Sequence, residues 1–242
     1  MQLLISVTSA TEAQAALQGG ADIIDVKNPA EGALGAAPVA ALRVICALLP
    51  PDRPGSAALG DSNSSSGALA LAAYGAAMMG VRYVKLGLLL SNPGEAINLL
   101  QTIQTGASLA ESPCGLIAVG YADAANHGAL SWQLLPEIAR AAQIEGCMID
   151  TASKDGRGLF DYCDEAALAS WIAACRQAKL LCALAGALQP KDLPALRRLC
   201  PDIVGFRGAA CNGDRVKGQV EAERVAILHQ ALSERPRLKP SD

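Results

Sequence analysis

The chain has 242 residues, 51% of them hydrophobic, and a formal net charge of -3. That supplies apolar material for a sizeable core, while the charge balance and the 3% aromatic content exclude an obvious nucleic-acid surface or base-stacking platform. No apolar stretch approaches the roughly 20 residues of a membrane span, and no basic segment precedes the short apolar run at the N-terminus. A soluble, cytoplasmic protein without a targeting segment is expected.

LLISV at 3–7 is the first strand candidate, and TEAQAALQ after it has a helical pattern. The Gly19-Gly20 pair ends that helix before a second strand, ADIIDVK at 21–27. GSAALG at 55–60 leads through the loop GDSNSSSG into the Ala-rich helix ALALAAYGAAMMG. RYVKLGL at 82–88 and GLIAVGY at 115–121 are the fourth and fifth strands, and WQLLPEIARAAQ follows the fifth as a helix. GCMIDTA at 146–152 precedes the helix EAALASWIAACRQAK, and LCALAG at 181–186 and DIVGFRG at 202–208 complete eight strands.

The repeat is about 30 residues, the size of a strand–helix unit. Near-continuous apolar strands suit a parallel sheet covered by helices. Eight such units close naturally into an α/β fold, a single-domain (β/α)8 TIM barrel spanning 1–235, with 236–242 expected to fray as a C-terminal tail. A doubly wound open sheet is the runner-up, but no GxGxxG follows the first strand. The 8 cysteines include no CxxC pair and mostly sit among Ala, Leu and Ile, so they read as small buried hydrophobes. With only 2 histidines, no metal site is expected, and no cofactor is called for.

The charged residues interrupt strands near their C-terminal ends, where barrel enzymes carry their chemistry. Alternation places Asp25 and Lys27 on one face with Ile23, opposite Ile24 and Val26. Lys85 shares a face with Tyr83 and Gly87, and Asp150 with Met148; Lys154 follows in the next loop. Any one of these lysines alone would ordinarily be a solvated side chain. Three lysines and two acids converging on one rim suit imine chemistry, because a neighbouring ammonium lowers the pKa of an amine and frees it to attack a carbonyl. Lys27, Lys85 and Lys154 each qualify as nucleophile or neighbour, with Asp25 and Asp150 orienting them or moving protons. Lys85 reads as a rim group outside the core packing.

LAGAL at 184–188 and GFRGAACNGDR at 205–215 end the last two strands, where barrels often bind phosphate. Gly186, Ala187, Gly208 and Ala209 would let backbone N–H groups approach the anion, and Arg207 or Arg215 would add charge. Asp123 and His127, after the fifth strand, are candidates to line the rim.

DVKNPAEGALGA, YVKLGL, VGYADA, IDTASKDG, CALAGAL and DIVGFRGAACNGDR, in this order, resemble the (5-formylfuran-3-yl)methyl phosphate synthase family nearly end to end. The resemblance implies a lyase that condenses two glyceraldehyde 3-phosphate molecules to a furan aldehyde phosphate for methanofuran biosynthesis. It implies that Lys27 is the Schiff-base lysine, Lys85 the proton acceptor, and Asp25, Asp150 and Lys154 further polar active-site positions. The expected partner is a small-molecule triose phosphate, with neither nucleic acid nor membrane; a homo-oligomer is compatible with the sequence. A class I aldolase or triose-phosphate isomerase on the same barrel, and a non-catalytic phosphosugar-binding protein, are the alternatives.

Overall fold

The computed structural model describes residues 1–233, so the C-terminal tail expected to fray lies outside the described residues. The apolar runs form eight parallel strands: β1 (Gln2–Val7), β2 (Ile23–Val26), β3 (Gly55–Asp61), β4 (Tyr83–Gly87), β5 (Gly115–Tyr121), β6 (Gly146–Asp150), β7 (Leu181–Leu184) and β8 (Ile203–Phe206). Each pairs with its neighbours in chain order, and β1 pairs with β8, giving a closed barrel rather than an open sheet. The helices are α1 (Ala10–Gln18), α2 (Val39–Cys46), α3 (Ser66–Met78), α4 (Pro93–Ser108), α5 (Leu135–Ala142), the short α6 (Leu159–Tyr162), α7 (Glu165–Gln177), α8 (Leu193–Leu199) and α9 (Ala222–Ser233). None is long and apolar enough to cross a membrane.

Local chemistry sets the helix ends. Ser9, Asn92 and Asp164 cap α1, α4 and α7 by accepting hydrogen bonds from backbone N–H groups of the first turn. Gly20, with φ +89°, takes the left-handed turn that a side chain would resist before β2. At Gly106 a Cβ would stand 2.6 Å from the Ala70 carbonyl oxygen, so the absent side chain lets α4 lie directly on α3.

The strand alternation divides the core in two. Leu3, Ile5, Ile24, Val26, Val84, Leu86, Cys147, Ile149 and Val204 face outward under the helices. Leu4, Ile23, Ala58, Ile117, Val119, Met148, Ala183 and Ile203 fill the barrel interior. Six of the cysteines are buried, as their neighbours suggest; Cys46 is half-buried and Cys200 exposed. The strands are mostly shorter than their apolar runs. β6 stops at Asp150 because the Thr151 N–H turns back onto the Asp150 carboxylate at 2.7 Å. Lys27 lies one residue beyond β2, although its N–H still bonds the Val7 carbonyl at 3.1 Å.

Candidate active site

Above the apolar interior the inward positions turn polar. In register, Asp25 lies between Ser6 of β1 and Ser56 of β3. Both hydroxyls donate to its carboxylate, at 2.8 and 3.0 Å, and the Lys85 ammonium lies 2.8 Å from it. Asp25 is fully buried and Lys85 only 3% exposed, so this lysine belongs to the interior. Burial pushes the Asp25 carboxyl up, but the charges of Lys85 and Lys27 and the hydrogen bonds outweigh it, and the group sits below its ordinary range.

Lys27 is buried beside this pair and has no carboxylate at ion-pair distance among the described residues; its Nζ donates to the Ala33 carbonyl at 3.1 Å. Burial pulls its pKa from 10.5 down to about 8; Asp150 and Asp25 oppose the shift while Lys85 and Lys154 reinforce it. Asp150 is buried at the end of β6, 3.0 Å from the Lys154 ammonium. Lys154 is also anchored to the Thr151 carbonyl and hydroxyl, at 2.6 and 3.0 Å. Burial raises the Asp150 carboxyl, but Lys154 and Lys27 bring it below its ordinary value.

Lys27, Lys85, Asp150 and Lys154 line one cavity of about 450 Å³ at the C-terminal ends of the strands. Gly186, Ala187, Gly208 and Ala209 line the same cavity, and their backbone N–H groups make no hydrogen bond to any described residue. Such groups have to meet water or a ligand. Gly186 has φ +101°, and a Cβ there would press on the Thr151 backbone nitrogen at 3.1 Å. Ala187, with φ 48°, is a non-glycine residue held in left-handed backbone beside it.

Arg207 also reaches the cavity, but its guanidinium is already engaged. It bonds Glu12 at 2.9 Å, the Ser6 carbonyl at 2.9 Å and the Arg215 carbonyl at 2.6 Å. Glu12 is the polar group the sequence reading missed. It lies in the first turn of α1, three residues after the Ser9 cap, where its carboxylate accepts the Thr8 N–H at 2.7 Å and nothing local points to Arg207. Asp123 and His127 stand outside the cavity wall. Asp123 accepts the Ala152 and Ser153 N–H groups, both at 2.8 Å, and so pins the loop that carries Lys154; His127 lies 3.2 Å from it. Despite its burial, those backbone bonds and the contacts of Ser153 and His127 bring the Asp123 carboxyl down to about 2.

A closed parallel barrel with amines, carboxylates and free backbone N–H groups around one rim cavity is a TIM-barrel enzyme architecture. A sequence model of the family described as 4-HFC-P synthase matches residues 3–229. The chain belongs to that family, and it is an enzyme, which removes the non-catalytic alternative. It is 40% identical over 232 residues to the (5-formylfuran-3-yl)methyl phosphate synthase of Methanocaldococcus jannaschii, covering 95% of this chain and 99% of that one. To the protein of the same name from Methanothermobacter thermautotrophicus it is 41% identical over 234 residues, covering 96% and 99%. Phosphoribosyl anthranilate isomerase from Thermus thermophilus superposes with a TM-score of 0.66 at 16% identity, covering 96% of this chain and 98% of that one. A 3-hexulose-6-phosphate synthase does so with a TM-score of 0.59 at 18% identity, covering 96% and 100%. At such identities these two likenesses speak for the fold alone.

Proposed function

We propose that the protein condenses two molecules of glyceraldehyde 3-phosphate to (5-formylfuran-3-yl)methyl phosphate, the furan precursor of methanofuran, through an imine on Lys27. Relatives carrying that product's name across nearly their whole length support the substrate class. The observation that carries the mechanism is the state of Lys27: buried, facing the cavity, without a carboxylate partner among the described residues, and lowered to about 8. Its neutral amine adds to a triose carbonyl, and loss of water leaves the imine. The imine acidifies the adjacent C–H bond. Lys85, held by Asp25, moves that proton, while Asp150 and Lys154 serve the carbon–carbon bond-forming and dehydration steps. Two trioses joined with loss of one phosphate and two waters give the furan, so the atoms balance without an oxidant. Incubation with glyceraldehyde 3-phosphate alone should yield an ultraviolet-absorbing furan phosphate; a six-carbon sugar phosphate as sole product would make the enzyme an aldolase.

The pH dependence follows from the same lysine. An ordinary lysine near 10.4 is almost wholly protonated at pH 7, and lowering it to about 8 raises the free-amine fraction roughly two orders of magnitude. The rate of borohydride-trapped adduct formation should therefore climb as pH rises from 6 to about 8 and level off above it. A rate that keeps climbing tenfold per unit to pH 10 would mean the amine is not lowered.

A further inference from the structure

Five cationic side chains line the cavity, and they differ in what already neutralises them. Lys85 is paired with Asp25 at 2.8 Å, Lys154 with Asp150 at 3.0 Å and Arg207 with Glu12 at 2.9 Å. Lys27 is the amine assigned to the carbonyl. Arg215 remains. It has no ion pair among the described residues, and its one side-chain hydrogen bond there runs from Nη2 to the Gly32 carbonyl at 3.3 Å, at the long end of the range. Asp214, next to it in the chain, turns its carboxylate onto the N–H groups of Val216 and Lys217 instead.

The backbone around Arg215 is nevertheless fixed. Its carbonyl accepts the Arg207 Nε–H at 2.6 Å, and Arg207 is itself locked to Glu12 and Ser6. The stem of Arg215 stands beside the phosphate-cradle candidate: a Cβ built on Gly208 would lie 3.9 Å from the Arg215 Cβ. A held loop, an uncommitted guanidinium and two unpaired backbone N–H groups thus converge on one corner of the cavity.

We propose that Arg215 is the side-chain ligand for the phosphate monoester of the substrate, closing over the Gly208–Ala209 backbone, and that Arg207 is a positioning residue that holds this loop. The guanidinium offers a planar fork that matches two phosphate oxygens, and exchanging one long bond to Gly32 for two charge-assisted ones favours the bound state. Arg207 offers no comparable gain, because its donors would have to leave a buried carboxylate unpaired.

The inference rests on reading the cavity as a triose-phosphate site, and two readouts separate it from the synthase reaction. Calorimetric binding of inorganic phosphate, at fixed ionic strength, should weaken on the order of 10- to 100-fold in R215Q. Borohydride trapping should show R215Q slowed with glyceraldehyde 3-phosphate yet equal to wild type with unphosphorylated glyceraldehyde. R215K, which keeps the charge without the fork, should fall between them, and it decides the matter if R215Q folds poorly. Equal effects on both aldehydes, or phosphate binding unchanged in R215Q, would overturn the proposal. So would a phosphate-selective loss in R207Q that R215Q lacks. Phosphate held through Arg215 by a protein that forms no furan would retire the synthase reading and leave the anion site standing.

Discussion

Lys27→Arg is expected to abolish both the borohydride-stable adduct and furan formation, to below detection, in a protein that still folds. Arginine keeps a positive charge at the end of β2 but stays protonated and cannot add to a carbonyl. In the wild type, peptide mapping after reduction with triose phosphate should place the added mass on Lys27. An adduct on Lys85 or Lys154 would move the nucleophile within the same chemistry, and furan formation without any adduct would remove covalent catalysis altogether. Lys27→Met gives an independent check. The Lys27 amine is lowered from 10.5 to about 8, so the folded protein holds this proton less well than the unfolded chain does. Below pH 8 both states carry the charge and the fold bears the penalty; between about 8 and 10.5 the folded state has released the proton and the penalty fades. Lys27→Met should therefore raise Tm at pH 7, with a gain that shrinks toward pH 10.

Lys85→Ala should be inactive and also markedly less stable. The sequence suggests a rim lysine whose loss the fold would tolerate, but the side chain is buried against a carboxylate that no water reaches. Deleting it leaves the buried Asp25 charge with two serine hydroxyls and the more distant Lys27, at a cost of about 3–5 kcal/mol, easily read in urea unfolding. Proton transfer itself should account for a further rate loss of about 10²- to 10⁴-fold. The double variant Asp25→Leu/Lys85→Met separates the two effects, because removing both charges together relieves the burial penalty. Recovered stability without recovered turnover is the expected result. A stable Lys85→Ala would mean that the pair does not hold the core, and an active double variant would mean that Lys85 moves no proton.

What could be read from the sequence was what depends on short-range periodicity. Strand alternation alone put Asp25, Lys27, Lys85 and Asp150 inside the barrel, because an inward residue on a parallel strand is fixed by parity. Ser6 and Ser56 obey the same parity but looked unremarkable, since their importance comes from lying in register with Asp25. Contacts that need distant chain segments stayed hidden. Nothing near Glu12 announces Arg207, and the acceptor for Lys27 is a backbone carbonyl, which no residue type reveals. The 3₁₀ turns at Ala124–His127 and Gly208–Ala210 were equally silent, because each is too short to carry a periodic pattern.

The Glu12–Arg207 pair also lies on the seam where the first strand meets the last. A contact spanning nearly the whole chain is formed only after the intervening units have assembled, since closing so long a loop is entropically unfavourable until other contacts hold it. The seam is thus expected to be the last part of the barrel to close and the first to open. Glu12→Gln should leave the refolding rate nearly unchanged while unfolding accelerates by about the full stability loss, as stopped-flow chevrons would show. The lifetime of the folded barrel should then depend on this ion pair, and the same latch that orients the β8 loop sets how long the enzyme endures.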